Sequence, residues 1–312
     1  MSEPMAEEAS ASEPSRSLVA PPAPEQKRCA VLGFPIDHSL SPVLHTAAYE
    51  ALGLTDWRYE RFPVDKGELA EFVASRGEGW RGFSMTMPLK DEALDLGEVT
   101  PEAQLTGAAN TLIFDGDRIV IHNTDIEGFV RPLTSAGAAG PPGAWVAGSG
   151  SGTPARLPLR NAVILGGGAT ARSAFYALTV MGVKNITVSA RTRSKVEAWA
   201  PMFDATGVTP EIVDFGVLPE SDLLISTVTA GAADAVAKLA ADTQCTIFDA
   251  IYHQWPTDLG RAGLAGGRTV FSGLDMLVGQ ALAQVELMTG HPAPAAAMMS
   301  AGREALRTRG NL

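Results

Sequence analysis

The chain has 312 residues, a hydrophobic content of 46% and a formal net charge of −11 at pH 7. Its hydrophobicity excludes an intrinsically disordered chain, and its acidic balance argues against a nucleic-acid-binding protein. It contains no apolar run of about 18 residues that would span a membrane. Its two cysteines stand in apolar runs, and its five histidines show no metal-ligand spacing. We therefore expect a cytoplasmic globular protein of two domains without a metal site.

The chain begins with a segment of biased composition. Residues 1–27 are rich in Glu, Ser, Ala and Pro, with neither an apolar core nor a basic start. This composition predicts a disordered tail rather than a signal peptide. After it, short β-rich runs alternate with helical patterns, which is typical of βα units around a mostly parallel sheet. The predicted fold class is α/β.

The first half contains one series of these elements. Strands are predicted at residues 29–32, 57–64 and 80–87, and helices at residues 41–51 and 67–75. Asp115-Gly116 separates two further short apolar runs, residues 112–114 and 119–121. An Asp-Gly pair between such runs predicts a hairpin with a tight turn.

A break precedes a second βα series. Residues 136–158 are rich in Gly, Ala and Pro, which predicts a flexible linker or a long loop. The second series has strands at residues 162–165, 186–189, 211–215, 223–227, 246–251 and 269–271 and a helix at 171–181. Two helices, residues 274–289 and 294–307, end the chain, and their Ala and Met content indicates core packing.

The best-defined motif is AVILGGGATARSA, residues 162–174. Gly166, Gly168 and Ala171 fit the pattern G-x-G-x-x-G/A directly after a strand and at the start of a helix. The first glycine permits a tight turn, the second lets the backbone approach a pyrophosphate, and Ala171 allows close helix–strand packing. The N–H groups of the helix N-terminus would then face the phosphates. A glycine-rich turn without a ligand is the alternative to dinucleotide binding.

The end of the next predicted strand distinguishes NAD from NADP. NAD sites carry an acidic residue about 20 residues after the glycines, but this strand ends in Arg191, Thr192 and Arg193. An arginine suits a 2′-phosphate by charge and by stacking on adenine. Solvated arginines that cap the strand are the alternative. The sequence therefore favours NADP.

A second candidate site is GFPIDHSLSPVLH, residues 33–45. Ser39 and Ser41 stand at the start of a predicted helix, and one of them could cap it. Two hydroxyls beside free N–H groups could equally hold a carboxylate. We interpret His38 and His45, which flank the serines, as structural.

The order of these motifs resembles that of the bacterial shikimate dehydrogenases of the AroE type, from about residue 28 to residue 290. GFPIDHSLSP is followed by GFSMTMPLK, GAANTL, NTDIEG, GGGATA, ART, IST, DAIYHQWPT and GLDMLVGQA. The resemblance implies a substrate-binding domain in residues 28–127, a Rossmann-type NADP-binding domain in 128–267, and C-terminal helices in 268–312 that return to the first domain. It implies the reversible NADPH-dependent reduction of 3-dehydroshikimate to shikimate in a cleft between the domains.

The resemblance also assigns site residues. It implies that Lys90 and Asp125 form a catalytic acid/base dyad that also contacts the substrate. The other implied substrate-binding residues are Ser39, Ser41, Thr86, Asn110, Tyr252 and Gln280, the last reaching in from a C-terminal helix. The implied NADP(H)-binding residues are Gly166, Gly167, Gly168, Ala169, Thr170, Ala171, Arg191, Thr192, Arg193, Thr227, Ala250 and Gly273.

Several alternatives stay open at this level. Lys90 taken alone would be a surface lysine at a helix start, and Asp125 alone would be a helix N-cap. The chain has Ser84 where many members have Asn, which we expect behind the lysine, and Ala190 where Asn is common. A quinate or aminoshikimate dehydrogenase and a non-catalytic NADP sensor are the alternative functions. Monomer and homodimer are equally compatible with the sequence.

Overall fold

A computed structural model of the chain describes residues 26–135, 159–229, 231–233, 236–238 and 244–310. The predicted 136–158 linker and residues 1–25 of the predicted tail lie outside the described residues. Lys27 was assigned to that tail, but it is the first residue of a strand and pairs with Trp57. The reason is local, because the Lys27 N–H donates to the Asp56 carbonyl at 2.9 Å and its ammonium lies 5.3 Å from the Trp57 ring centroid.

The first part of the chain folds around a six-stranded sheet with the strand order β2-β1-β3-β5-β6-β4. Its elements are β1 Lys27–Gly33, α1 Ser41–Ala51, β2 Trp57–Pro63, α2 Leu69–Ala74, β3 Trp80–Met85, a 3₁₀ helix Glu92–Asp95, β4 Glu98–Val99, α3 Pro101–Thr106, β5 Thr111–Asp115, β6 Arg118–His122 and α4 Asp125–Ser135. Strand β1 pairs in parallel with β2 and β3, whereas β5 is antiparallel to β3 and β6. The predicted hairpin is therefore confirmed.

The second part folds around another six-stranded sheet, with the order β12-β11-β10-β7-β8-β9 and parallel pairing throughout. Its elements are β7 Asn161–Leu165, α5 Ala169–Val180, β8 Asn185–Ala190, α6 Arg193–Glu197, α7 Ala200–Thr206, β9 Glu211–Asp214, β10 Leu223–Ser226, β11 Thr246–Asp249, α8 Asp258–Ala265, β12 Val270–Phe271, α9 Gly273–Thr289 and α10 Ala295–Thr308. This is the dinucleotide-binding strand order, whose direction of winding reverses between β7 and β10. A ligand crevice is expected beyond the carboxyl ends of those two strands.

The short helices α3, α6, α7 and α8 are not among the elements predicted from the sequence. They have five to eight residues, about two turns or fewer, so an apolar period of 3.6 has too few positions to be recognised. Helix α3 does carry end signals, since Pro101 opens it and Gly107, at φ 55°, closes it in the left-handed region.

Helices α9 and α10 pack against the first sheet, as the predicted fold class requires. Leu274, Val278 and Val285 of α9 share one buried core with Cys29 and Val31 of β1. Strand β12 nevertheless belongs to the second sheet, and α4 runs unbroken across the predicted boundary at residues 127 and 128. The exact domain boundaries stay a prediction. Within the described ranges, no helix is both long and apolar enough to cross a membrane.

Candidate active site

A cavity of about 320 Å³ lies where loops after strands of both sheets meet helix α9. It is lined by all eight residues that the sequence analysis assigned to the substrate: Ser39, Ser41, Thr86, Lys90, Asn110, Asp125, Tyr252 and Gln280. Four residues assigned to the cofactor line the same cavity: Thr170, Thr227, Ala250 and Gly273. The structure thus brings both groups together although they are dispersed along the chain.

Lys90 and Asp125 form an ion pair inside this cavity. The Lys90 Nζ donates to Asp125 Oδ2, and the side chains are only 19% and 6% exposed. Lys90 is therefore not a solvated surface lysine. Asp125 begins α4, but Asn123 accepts from the Asp125 N–H at 3.2 Å. The Asp125 carboxylate does not cap its own helix and instead faces the ammonium of Lys90.

Asn110 holds the other carboxylate oxygen. Its Nδ2 donates to Asp125 Oδ1 at 2.8 Å and to Gln280 Oε1 at 3.1 Å. Its Oδ1 accepts from the hydroxyls of Thr111 and Thr124, both at 2.9 Å, and from the Thr124 N–H at 2.7 Å. These three donors fix the direction of the Asn110 amide, so its amino group points at Asp125.

The two serines lie at the start of α1 and are both buried. Ser39 Oγ accepts from the Ser41 N–H at 3.3 Å, which is a turn-type contact before the helix. The Ser41 hydroxyl has no hydrogen-bond partner among the described residues, and no side chain caps α1. Ser39 therefore satisfies a helix-start donor, while the Ser41 hydroxyl faces the cavity and is available for a ligand.

Tyr252 and two histidines stand at the edge of the cavity. Burial raises the pKa of the Tyr252 phenol, which stays a neutral hydrogen-bond donor. His38, interpreted from sequence as structural, also lines the cavity, and desolvation followed by the charges of His253 and Arg309 lowers its pKa. Tyr252 and His38 therefore offer uncharged donors at this edge.

The glycine-rich loop after β7 has the form that a pyrophosphate requires. Gly166 has φ +124°, and a Cβ there would lie 2.4 Å from Thr227 Oγ1. No side chain caps α5, whose N-cap is Gly168, and no atom lies within 4 Å of a Cβ built on that residue. Ala171 is fully buried in the core. The open loop and uncapped helix N-terminus fit an anionic ligand.

The arginines after β8 differ from one another. Arg191 is exposed and forms no hydrogen bond or ion pair with any described residue. Arg193 donates to the Ile212 carbonyl and is thereby tied to β9, while Thr192 is the N-cap of α6. Arg191 is thus the cation available for a 2′-phosphate. None of these three lines the 320 Å³ cavity, nor do Gly166, Gly167, Gly168, Ala169 or Ala171.

The residues predicted to border the nicotinamide include Thr227 and Ala250, which follow β10 and β11. Thr227 Oγ1 donates to the Leu165 carbonyl at 3.0 Å, which holds the ends of β7 and β10 together. Gly273, the first residue of α9, packs on Ala250, since a Cβ there would lie 2.4 Å from the Ala250 carbonyl oxygen. This contact brings α9, and with it Gln280, to the side of the cavity that Thr227 and Ala250 line.

The sequence analysis missed a buried polar group behind the cavity, formed by His45, Ser84, Thr111, Thr124 and Gln284. Gln284 is completely buried and hydrogen-bonds to the other four and to Gln280. A signal was present, because Gln280 and Gln284 are four residues apart in a mostly apolar helix and must share one face. Ser84, expected behind the lysine and away from the substrate, lines the cavity and is held by Tyr59 and Gln284.

Comparisons with known proteins point to one family. Two family profiles match, one described as "Shikimate dehydrogenase substrate binding domain" over residues 31–112 and one as "Shikimate 5'-dehydrogenase C-terminal domain" over residues 273–301. A shikimate dehydrogenase (NADP(+)) from Citrifermentans bemidjiense is 34% identical over 299 residues, covering 91% of this chain and 97% of the relative.

Solved structures agree. The crystal structure of Mycobacterium tuberculosis shikimate dehydrogenase is 39% identical, with a TM-score of 0.77 over 89% of this chain and 99% of that one. The Thermus thermophilus enzyme, solved in complex with NADP(H) and shikimate, is 30% identical, with a TM-score of 0.75 over 90% and 100% of the two chains. Together with the arrangement of the cavity, these relationships show that the chain belongs to the shikimate dehydrogenase family.

Proposed function

We propose that this chain catalyses the reversible NADPH-dependent reduction of 3-dehydroshikimate to shikimate, with Lys90 and Asp125 as its acid/base pair. Family membership supports the reaction and the cofactor, and makes the protein an NADP-dependent oxidoreductase. The observation that carries the residue assignment is the Lys90–Asp125 ion pair, which is nearly excluded from solvent inside a cavity rich in hydrogen-bonding groups.

The cavity can hold a small hydroxylated carboxylate by its two ends. At one end, the Ser41 hydroxyl and the neutral Tyr252 phenol can donate to a carboxylate beside Ser39. At the other end, Gln280 has an N–H that no described residue accepts, and Asn110 lines the cavity beside the dyad, so this end suits ring hydroxyls. Two-ended contact fixes which ring carbon faces the nicotinamide side.

Proton transfer falls to the dyad. NADPH supplies the hydride when bound. The ammonium of Lys90 can give a proton to the substrate carbonyl oxygen, and its charge stabilises the negative charge that develops there. Asp125 accepts a hydrogen bond from the ammonium and holds it in place, so the two residues act together as the acid/base dyad. In the reverse direction the neutral amine of Lys90 accepts the hydroxyl proton.

The residues assigned to NADP fit that group by their chemistry. The turn from Gly166 to Ala171 offers uncapped N–H groups to the pyrophosphate. Arg191, with Thr192 and Arg193 beside it, would hold the 2′-phosphate. Thr227, Ala250 and Gly273 would border the nicotinamide, since they line the cavity that also contains the dyad.

One assay tests the proposal. Purified protein is mixed with shikimate or quinate and with NADP or NAD, and the absorbance of the reduced nicotinamide is followed. We expect rapid reduction of NADP by shikimate and much slower reaction with the other three combinations. Preference for quinate would indicate the paralogue, and tight NADPH binding without any turnover would indicate the sensor.

Two further assignments stay proposals. Location in the cytoplasm is supported by Cys29 and Cys245, both buried and, within the described part of the chain, not in a disulfide. Burial raises the pKa of the Cys29 thiol to about 12, which makes it chemically inert. The choice between monomer and homodimer is decided by the mass in solution.

A further inference from the structure

Gln284 lies one turn after Gln280 on helix α9 and is fully buried. Its Nε2 donates to Gln280 Oε1 at 2.7 Å. Its Oε1 accepts from Ser84 Oγ at 2.8 Å and from His45 Nε2 at 3.3 Å. The side chain therefore connects α1 and β3 with Gln280, which lines the cavity.

The donors around Gln284 determine which way its amide points. Tyr59 donates to Ser84 Oγ at 2.6 Å, so the Ser84 proton is directed at Gln284 Oε1. His45 stacks on Tyr59 with ring centroids 3.9 Å apart, and burial lowers its pKa to about 3. The neutral imidazole then donates from Nε2 to the same oxygen. Two donors on the oxygen leave the amino group of Gln284 facing the cavity side.

The orientation of the Gln284 amide in turn determines the orientation of the Gln280 amide. Gln280 Oε1 accepts from both Gln284 Nε2 and Asn110 Nδ2, so its two lone pairs are used. Gln280 Nε2 donates once, to the Leu277 carbonyl at 3.1 Å. Within the described part of the chain its second N–H has no acceptor, and the residue lines the cavity. Gln280 thus presents an N–H, not an oxygen, to a ligand.

The same amino group also reaches the dyad through two hydroxyls. One N–H of Gln284 Nε2 is used by Gln280 Oε1, and the other is shared between Thr111 Oγ1 at 3.0 Å and Thr124 Oγ1 at 3.3 Å. Having accepted there, both hydroxyls direct their own protons to Asn110 Oδ1, each at 2.9 Å. The amino group of Asn110 is left pointing at Asp125 Oδ1.

We infer that Gln284 is a positioning residue: it sets the amide direction of Gln280, and so the N–H offered to a substrate hydroxyl, and it sets the amide direction of Asn110, whose amino group holds Asp125. The inference rests on the proposed function, because it assigns Gln280 to the substrate. Hydrogen-bonded chains of this kind act as a unit, so one missing member frees several side chains to rotate. Gln284 itself has no contact with the cavity, so its effect is transmitted only through the residues it holds.

The test uses a variant that keeps the volume of the side chain and removes its polarity. Gln284→Met fills similar space without donors or acceptors. We expect the KM for shikimate to rise about tenfold, while the KM for NADP changes less than about twofold. Val285→Ala is the matched control: it lies on the same helix, is fully buried in the first core, and should lower the melting temperature without changing either KM.

A conservative variant separates the effect of hydrogen-bond donation by residue 284 from the effect of its side-chain packing. The Gln284→Glu carboxyl has nearly the same shape, and it can donate to Gln280 Oε1 only while protonated. Its KM for shikimate, divided by the wild-type value at the same pH, should therefore be near one in mild acid and rise with pH. The Gln284→Met ratio should stay high throughout.

Several outcomes would overturn the inference. The first is a wild-type KM for shikimate in Gln284→Met. The second is an equal effect of Gln284→Met and Val285→Ala on that KM. The third is the same KM for shikimate in Gln284→Met and Gln284→Glu at every pH. Should the Met variant not fold, the Glu ratio decides alone, and a ratio independent of pH refutes the inference. A wild-type protein without turnover contradicts the proposed function instead, so the two failures are distinguishable.

Discussion

The two halves of the cleft are built on different principles. In the substrate half, Asp125, Asn110 and Gln280 are buried, and hydrogen bonds within the protein use most of their polar atoms. In the cofactor half, α5 begins without a side-chain cap, and Arg191 is exposed without an ion pair to any described residue.

The difference predicts how each half responds to change. A buried donor held by several partners recognises its ligand by the direction of its N–H or O–H bond. Replacing one residue of such a hydrogen-bonded network therefore also changes the orientation of its neighbours. An exposed cation recognises its ligand by charge and acts largely by itself. Changes in the substrate half should therefore affect turnover and shikimate binding, whereas changes in the cofactor half should affect the choice of dinucleotide.

Removal of the Lys90 ammonium should give the largest effect. Lys90→Ala deletes the proton donor and leaves the Asp125 carboxylate buried without its partner. We expect kcat to fall about 10²–10⁴-fold, the usual contribution of a positioned acid or base. Steady-state kinetics measure this, with the exposed Lys66→Ala as control. Undiminished turnover in Lys90→Ala would remove the mechanism proposed for the substrate half.

The cofactor half is tested by comparing its two arginines. Arg191→Ala should weaken NADPH about 10- to 100-fold, the usual loss for a charge-assisted contact, and leave NADH nearly unchanged. Arg193→Ala should have a smaller effect, because its guanidinium is already bonded to the Ile212 carbonyl. Fluorescence titration with both dinucleotides measures the two Kd values. If Arg191→Ala weakens the binding of NADPH and of NADH equally, Arg191 does not bind the 2′-phosphate.

The buried histidine behind the substrate half predicts a pH effect on stability. Burial lowers the pKa of His45 to about 3, below its usual value of 6.5. Between these values the unfolded chain binds a proton that the folded chain does not, so stability decreases as the pH falls below about 6.5. We expect His45 to contribute a loss of about 2 kcal/mol between pH 7 and pH 5.

Urea denaturation at the two pH values measures this loss. His45→Phe is the comparison, because it can still stack on Tyr59 and has no group that titrates. The variant should be less stable at pH 7 but should lose less stability on acidification. Equal losses in wild type and variant would show that His45 is not held neutral.

The smallest effect is expected at the rim of the substrate half. Arg309 donates to the His38 carbonyl at 2.7 Å and Arg61 to the Asp37 carbonyl at 2.5 Å, just before Ser39. Both arginines are exposed, so each contact is worth little. Arg309→Ala should raise the KM for shikimate about two- to threefold without changing kcat, and more at low salt. A salt-independent change would indicate that the guanidinium acts only as a tether.

The cofactor half was largely predictable from sequence. A glycine-rich turn and the arginines after the next strand are contiguous residues whose roles follow from local backbone geometry and charge. The substrate residues were predicted differently, since Lys90 and Asp125 taken alone suggested a surface lysine and a helix cap. Only the order of motifs and its family resemblance placed them together.

What the sequence by itself determined was therefore the α/β class, the dinucleotide turn and the preference for NADP, because each depends on neighbouring residues. Only the tertiary structure decided that Asn123 rather than Asp125 supports the start of α4. It also decided that Arg193 bonds to the Ile212 carbonyl while Arg191 has no hydrogen bond or ion pair with any described residue. It also revealed the role of Gln284, whose partner His45 lies 239 positions away. The direction of a buried amide is set by donors from distant segments, and no local pattern encodes that direction.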